Sequence, residues 1–317
     1  MVGGESRARG ARRIDVSAAP PPLQLRGEAR AAKAKPHTLI GISPLSVDAD
    51  TDALAARDLL VFAAREAGAL ALEFFNRGAR TSAKVVTKAG GSPVTDADLA
   101  ADALLKRRLQ GALPDAGWLS EETVDDFERL SRRSLIVVDP IDGTRAFVIG
   151  DSRWAVSVAL VVDGRPVAGV VHAPALGETY AAARGGGATF NGATLVPAAS
   201  WPPRAAAGPK LVVEAMASEL GVSVEIIPRV PALAYRLCLV ARGAVDFAVA
   251  AENSHDWDIA AADIVLEEAG ARLIDAWGER LRYNSRQVRR GALIAAPEAA
   301  ATRLIKGFRA AVGWKPD

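Results

Sequence analysis

Apolar residues recur at helical spacing from Asp50 to Asn76, with Leu54, Leu59, Phe62, Ala63, Ala67, Leu70 and Phe74 close to one stripe. Asp50 or Thr51 caps the start of this predicted helix, and Gly78 closes it. A polar loop, Lys88-Ala89-Gly90-Gly91-Ser92-Pro93, precedes a second helix predicted from about Thr95 to Leu109. After Pro114 and the polar turn Ser120-Glu121-Glu122-Thr123 comes the apolar run Ser134-Leu135-Ile136-Val137-Val138, of buried-strand type. Pro140 cannot donate to a sheet ladder and Asp142-Gly143 is a turn signal, so the strand is expected to stop at Asp139.

Residues 154–192 change character. Val156, Val158, Leu160 and Val162 alternate with smaller residues, Asp163-Gly164 makes a hairpin turn, and Val167 to Val171 return. A second hairpin joins Thr179–Ala183 to Ala188–Phe190 through Gly185-Gly186-Gly187, giving an antiparallel sheet. No helix-opening Lys-Ser/Thr follows the glycines, so they read as a turn rather than a phosphate loop. Trp201-Pro202-Pro203 marks a boundary. Beyond it, strands near 223–227, 245–249, 271–274 and 292–296 alternate with helices near 232–242, 257–269 and 297–311, the pattern of a layered α/β unit. Three segments result: a head, 1–47; an N-terminal α+β subdomain, 48–200; and a C-terminal α/β subdomain, 201–317.

Composition narrows the function classes. The head carries eight Lys/Arg against three acidic residues, whereas the other 270 residues hold 31 basic and 34 acidic side chains, a balance of −3. The globular part is therefore not a nucleic-acid binder by charge. The head, with Arg7, Arg9, Arg12, Arg13 and Pro20 to Pro22, lacks periodicity and reads as disordered; a tail that contacts polyanions and a targeting segment are alternatives, and a functionless tail or translation from an early start codon is the favoured expectation. One cysteine, Cys238, excludes an intrachain disulfide and a thiolate metal cluster. Without a secretory pattern or a membrane-length apolar run, the cytoplasm is the expected compartment.

The chemistry concentrates at Asp139-Pro140-Ile141-Asp142-Gly143-Thr144. Two carboxylates, the Ile141 carbonyl and the Thr144 hydroxyl surround one bend, and hard oxygen ligands of this kind suit Mg²⁺. Further acidic clusters stand at element boundaries: Glu121-Glu122, Asp96 with Asp98, and Asp256 with Asp258 around Trp257. Helix capping accounts for the last four one at a time. Their coincidence with the carboxylate bend favours a site, although spacing alone does not bring them together.

The set Ser92-Pro93-Val94-Thr95-Asp96-Ala97-Asp98, Ser120-Glu121-Glu122, Asp139-Pro140-Ile141-Asp142-Gly143-Thr144 and Trp257-Asp258-Ile259-Ala260-Ala261-Ala262 resembles the inositol monophosphatase superfamily, in its order and spacing, over roughly residues 50–312. The resemblance implies a layered αβαβα sandwich and an Mg²⁺-dependent, lithium-inhibited phosphomonoesterase using two or three ions. It implies Glu121, Asp139, the Ile141 carbonyl, Asp142 and Asp258 as metal ligands. Asp98 and Thr144 match the pair that orients and deprotonates the attacking water, and Gly143 and Thr144 offer backbone N–H groups to phosphate. His255 reads as structural.

The ester itself is less legible. Inositol monophosphatases usually carry a glutamate seven residues before the aspartate matching Asp258, a position held here by Ala251 with Glu252 beside it. Arg236, in Leu233-Ala234-Tyr235-Arg236-Leu237-Cys238, is similar to the basic residue of 3′(2′),5′-bisphosphate nucleotidases, where a cation suits a second phosphate. A helix-surface arginine fits the same position equally well. Arg145 resembles the nucleotidase and histidinol-phosphatase branches. The expected substrate is thus a small phosphate ester, 3′-phosphoadenosine 5′-phosphate first, with inositol 1-phosphate and histidinol phosphate as alternatives. A non-catalytic partner of RNA polymerase or ribosomal RNA would be expected to lose metal carboxylates or to show a basic folded surface. This chain retains Glu121, Asp139, Asp142 and Asp258, and its folded part is slightly acidic. No EF-hand-type loop supports a calcium module. Homodimers are common in families resembling this one, and the apolar hairpin region offers an interface.

Overall fold

The computed structural model describes residues 53–196 and 201–313; the head and the capping residues Asp50 and Thr51 lie outside the described residues. Helix α1 (Ala53–Leu72) packs beside α2 (Asp96–Ala112), and the chain between them forms a hairpin of β1 (Val85–Thr87) and β2 (Pro93–Thr95). Both helices cover one face of a seven-stranded sheet. Its order is β3 (Gly117–Ser120), β4 (Ser134–Asp142), β5 (Ala155–Val162), β6 (Arg165–Ala173), β7 (Glu178–Ala183), β8 (Gly187–Phe190) and β9 (Ala193–Thr194). The β3–β4 pair is parallel and every later pair is antiparallel. A short helix, α3 (Thr144–Ile149), follows β4.

The second sheet runs β11 (Glu225–Ile226), β10 (Ala205–Ala207), β12 (Phe247–Ala250), β14 (Leu293–Pro297) and β13 (Ala271–Asp275). Helices α5 (Leu233–Ala241) and α6 (Asp256–Glu268) lie between the sheets; α4 (Lys210–Leu220) and α7 (Glu298–Ala311) close the far face. This is the αβαβα sandwich that the resemblance implied. The alanine triplet of β10 and the helix α4 after it carry no clear periodic signal, and neither they nor β3 and α3 are among the elements expected from sequence.

Packing corrects the reading of α1. Leu54 and Phe62 are half exposed, while Ala56, Leu60, Ala63, Ala64, Ala67 and Ala71 are buried. Small residues let this helix lie close on β6, and at Gly68 a Cβ would stand 2.8 Å from the His172 ring. The helix ends at Leu72; Gly78 sits in the later turn and donates its N–H to the Gly150 carbonyl. On β5, Val156, Val158, Leu160 and Val162 face α1 and α2, whereas Ala155 and Ala159 face the inter-sheet core. The smaller set is needed because α6 crosses closely: a Cβ on Gly169 of β6 would lie 2.5 Å from Ile264.

The Gly185–Gly187 turn is a hairpin that also holds an anion. The N–H groups of Gly185 and Gly187 donate to the Glu268 carboxylate at 2.9 Å each, tying the end of α6 to the sheet. Mid-helix, Asp263 is buried and accepts from the Tyr283 hydroxyl at 2.8 Å. Burial pushes its carboxyl up to about 7, helped by Glu267 and opposed by the Tyr283 bond, Arg165 and Arg280. The folded state therefore binds this proton more tightly than the unfolded chain does. The stabilisation is present below about pH 4 and is lost as pH rises to about 7. Asp263→Asn keeps the hydrogen bond and removes that slope. Its Tm relative to wild type is expected to climb across this range, and a pH-independent difference would contradict the assignment.

Candidate active site

The end of β4 differs from the expected stop at Asp139. The ladder resumes after a register shift, with Asp139 opposite Ser157 and Asp142 opposite Ala155. Pro140 is accommodated where the pairing is irregular, and the distortion turns the two aspartates toward one spot. Gly143 follows with φ 91°, and a Cβ there would press on the Ala232 backbone at 3.2–3.3 Å. Thr144 then opens α3.

Carboxylate oxygens of Asp139, Asp142 and Asp258 all lie within 4.8 Å of one another. Asp258 comes from the third position of α6, where it also accepts the His255 N–H at 2.6 Å. Asp142 caps α5, accepting from the N–H groups of Leu233 (2.9 Å) and Ala234 (2.6 Å). Asp98 holds the matching place in α2, closing a capping box with Thr95. Its other oxygen accepts from the Thr144 hydroxyl at 3.2 Å, which also lies 3.1 Å from the Ile141 carbonyl. Capping and site-building are thus the same contacts: the starts of α2, α5 and α6 bring their partial positive ends toward one acidic pocket. Asp256 instead is buried against Arg290, 2.7 Å from its Nε, and His255 stacks on Trp257.

Burial and mutual repulsion shape the protonation of the set. Burial, then the charges of Glu121, Asp142 and Asp258, hold Asp139 well above the usual carboxylate range. Burial and Asp258 push Asp142 up to about 8, against its two amide bonds. Asp98 is raised to about 6, chiefly by burial. Three crowded, sheltered carboxylates are costly without a positive charge among them. An all-oxygen set of this kind fits a hard divalent cation, with the Ile141 carbonyl as a further donor.

Glu121 stands outside the group of three. Its carboxylate is 3.0 Å from Lys88 Nζ, and the same ammonium lies 2.8 Å from Glu122. Burial would lower the Lys88 ammonium, but the two glutamates hold it above its ordinary value. Glu122 is pushed up to about 7 by burial, against the Lys88 bond. The sequence places Glu122 in the acidic pair with Glu121 and Lys88 in the polar loop ahead of the Asp98 motif, but gives neither a role and does not join them. Arg145 is exposed and leans on the Gly91 carbonyl at 3.4 Å rather than into the aspartates. Arg236 is partly buried on α5, bonds the Val230 carbonyl at 3.3 Å, leaves its Nε unpartnered and feels the charge of Asp142. Glu252 lines another cleft, of about 320 Å³, with Trp277 and Arg289; none of the four site aspartates borders it.

The model of the inositol monophosphatase family matches residues 56–312. The chain belongs to this family. Among its relatives, a 3′(2′),5′-bisphosphate nucleotidase CysQ from Aggregatibacter actinomycetemcomitans is 34% identical over 241 residues, covering 71% of this chain and 86% of that protein. A histidinol-phosphatase from Chlorobaculum parvum is 41% identical over 132 residues, 42% of this chain and about half (49%) of that protein's length. The solved structure of extragenic suppressor protein suhB from Bartonella henselae superposes with a TM-score of 0.69 at 28% identity, covering 80% of this chain and 98% of that one. The chain is accordingly an inositol monophosphatase family phosphatase, a phosphomonoesterase, and the family is generally Mg²⁺-dependent.

Proposed function

We propose that this phosphatase hydrolyses a 3′(2′),5′-bisphosphate nucleotide, converting 3′-phosphoadenosine 5′-phosphate to AMP and phosphate. The observation that carries the choice is Arg236: a guanidinium with an unpartnered Nε, close enough to Asp142 to feel its charge. A permanent cation beside the acidic pocket suits a substrate with a second phosphate. Ala251 in place of a polyol-binding glutamate argues against inositol 1-phosphate. The nucleotidase relative covers 71% of the chain at 34% identity and a histidinol-phosphatase 60% at 38%, so histidinol phosphate is the nearest alternative and likeness alone does not decide between them.

Asp139, Asp142, Asp258, Glu121 and the Ile141 carbonyl would hold two or three Mg²⁺. The ions would supply an activated water, charge neutralisation on the phosphoryl oxygens and stabilisation of the leaving oxygen. Asp98, buried and bonded to the Thr144 hydroxyl, is placed to accept a proton. Thr144 would relay it, passing its own hydroxyl proton to Asp98 across the 3.2 Å contact while taking one from the attacking water. The N–H groups of Gly143 and Thr144 would orient the phosphate, and Arg145 would border the entrance. Lithium inhibition accompanies this reading, as does a cytoplasmic setting. Among the described residues no helix is long and apolar enough to cross a membrane.

The test is phosphate release with Mg²⁺ from 3′-phosphoadenosine 5′-phosphate, inositol 1-phosphate and histidinol phosphate, in wild type and Arg236→Met. Losing a charged hydrogen bond is expected to lower kcat/KM for the bisphosphate by roughly ten- to a hundredfold. The monophosphate rates should stay within about twofold. A wild-type preference for either monophosphate would end the nucleotidase assignment while leaving the phosphatase intact.

A further inference from the structure

Lys88 occupies the bend of the β1–β2 hairpin, closed by its N–H to the Ser92 carbonyl and by the Gly91 N–H to its own carbonyl, both 2.8 Å. The hairpin is anchored at its base, where the Asp96 N–H donates to the Lys84 carbonyl, and at its tip, where Arg145 reaches Gly91. From this fixed frame the ammonium crosses to both glutamates that follow β3, Glu121 at 3.0 Å and Glu122 at 2.8 Å. The contact is sheltered, with side-chain exposures of 27% for Lys88, 22% for Glu121 and 3% for Glu122. It is therefore stronger than a solvent-exposed pair.

One monovalent charge thus engages a carboxylate that faces the aspartates but does not join them. Glu121 adds repulsion at both Asp139 and Asp98, so it is a neighbour of the set, yet Asp139, Asp142 and Asp258 close up without it. An ammonium is a compact point charge on a flexible stem and can be exchanged for another cation without rebuilding the backbone. Resting on the metal reading above, we propose that Lys88 is an internal competitor for Glu121. It partly neutralises the acidic pocket and positions Glu121, and a divalent cation that takes Glu121 as ligand must displace it. Lys88 thereby sets the affinity of the cation that uses Glu121 as a ligand.

Calorimetric titration of Mg²⁺ into the full chain tests this with wild type, Lys88→Met, Lys88→Gln and Lys88→Arg, each checked for an unchanged circular dichroism spectrum. Both neutral variants are expected to bind the cation that uses Glu121 about tenfold more tightly, equivalent to roughly 1.4 kcal/mol. Lys88→Arg keeps the charge and should stay within about twofold of wild type. Unchanged or weaker binding in both neutral variants, with wild type binding normally, overturns the competitor role alone. Absence of Mg²⁺ binding by wild type overturns the metal reading and this proposal with it.

Discussion

Asp139→Asn is expected to abolish phosphate release and Mg²⁺ binding together, while the metal-free protein melts no lower than wild type. The side chain is buried and its Oδ1 accepts the Ile141 N–H at 3.1 Å, a bond that an asparagine oxygen preserves. The largest charges acting on it are negative: Glu121, Asp142, Asp258 and Asp98. Removing one carboxylate from that crowd relieves repulsion in the metal-free fold and takes away a central donor for a cation. Loss of a metal ligand removes several kcal/mol of transition-state stabilisation, so the rate should fall by about a thousandfold or more. The decisive measurement pairs the rate with Tm, with and without Mg²⁺. Wild type should gain stability with the ion, because only the folded site binds it, and the variant should not. A variant that keeps both the Mg²⁺-dependent Tm rise and the activity would remove Asp139 from the site.

The second large effect lies away from the aspartates. Gly150 ends α3 with φ 79°, and a Cβ there would stand 2.5 Å from the Ala79 nitrogen and closer still to the carbonyl oxygens of Asn76 and Ala79. All three neighbours are backbone, so no rotamer change relieves the clash. The segment is also locked by the Gly78 N–H to Gly150 carbonyl bond, 2.8 Å, and by Thr81 to Val148, 3.0 Å. Overpacking costs about 1–3 kcal/mol and the left-handed backbone about 1 more, so Gly150→Ala should lose roughly 3 kcal/mol. For a folded part of this size that is a Tm decrease of about 5 °C. Gly78→Ala separates the two causes: its φ is 73° but nothing lies within 4 Å of the added atom. Its decrease should be about a third as large, and equal shifts in the two variants would rule out the steric account. Activity should fall in Gly150→Ala as well, because α3 begins at Thr144 and carries its hydroxyl toward Asp98.

The family motifs were legible because each is a short run whose local role and chemical role coincide. Asp98 and Asp258 cap their own helices, so the rules of helix starts found them, and the apolar run before Asp139 announced β4. The alanine-rich elements were harder. A stripe drawn through Leu54 and Phe62 missed the face α1 buries, since close helix–sheet approach selects Ala56, Ala63 and Ala67 over larger side chains. The β10 alanines and α4 gave no periodic contrast to read.

From the sequence alone came the alternation of elements, the oxygen-donor chemistry and the membership of each carboxylate in a motif, because these depend on residues near one another along the chain. Tertiary structure alone decided that β4 continues past Pro140, that Asp142 caps α5, ninety residues away, and that Lys88 reaches Glu121 and Glu122. It also turned Arg145 toward Gly91 and brought Arg236 within electrostatic reach of Asp142. Such pairings join segments far apart in sequence. Their partners are chosen by how the two sheets and the helices between them pack, and no local pattern encodes that.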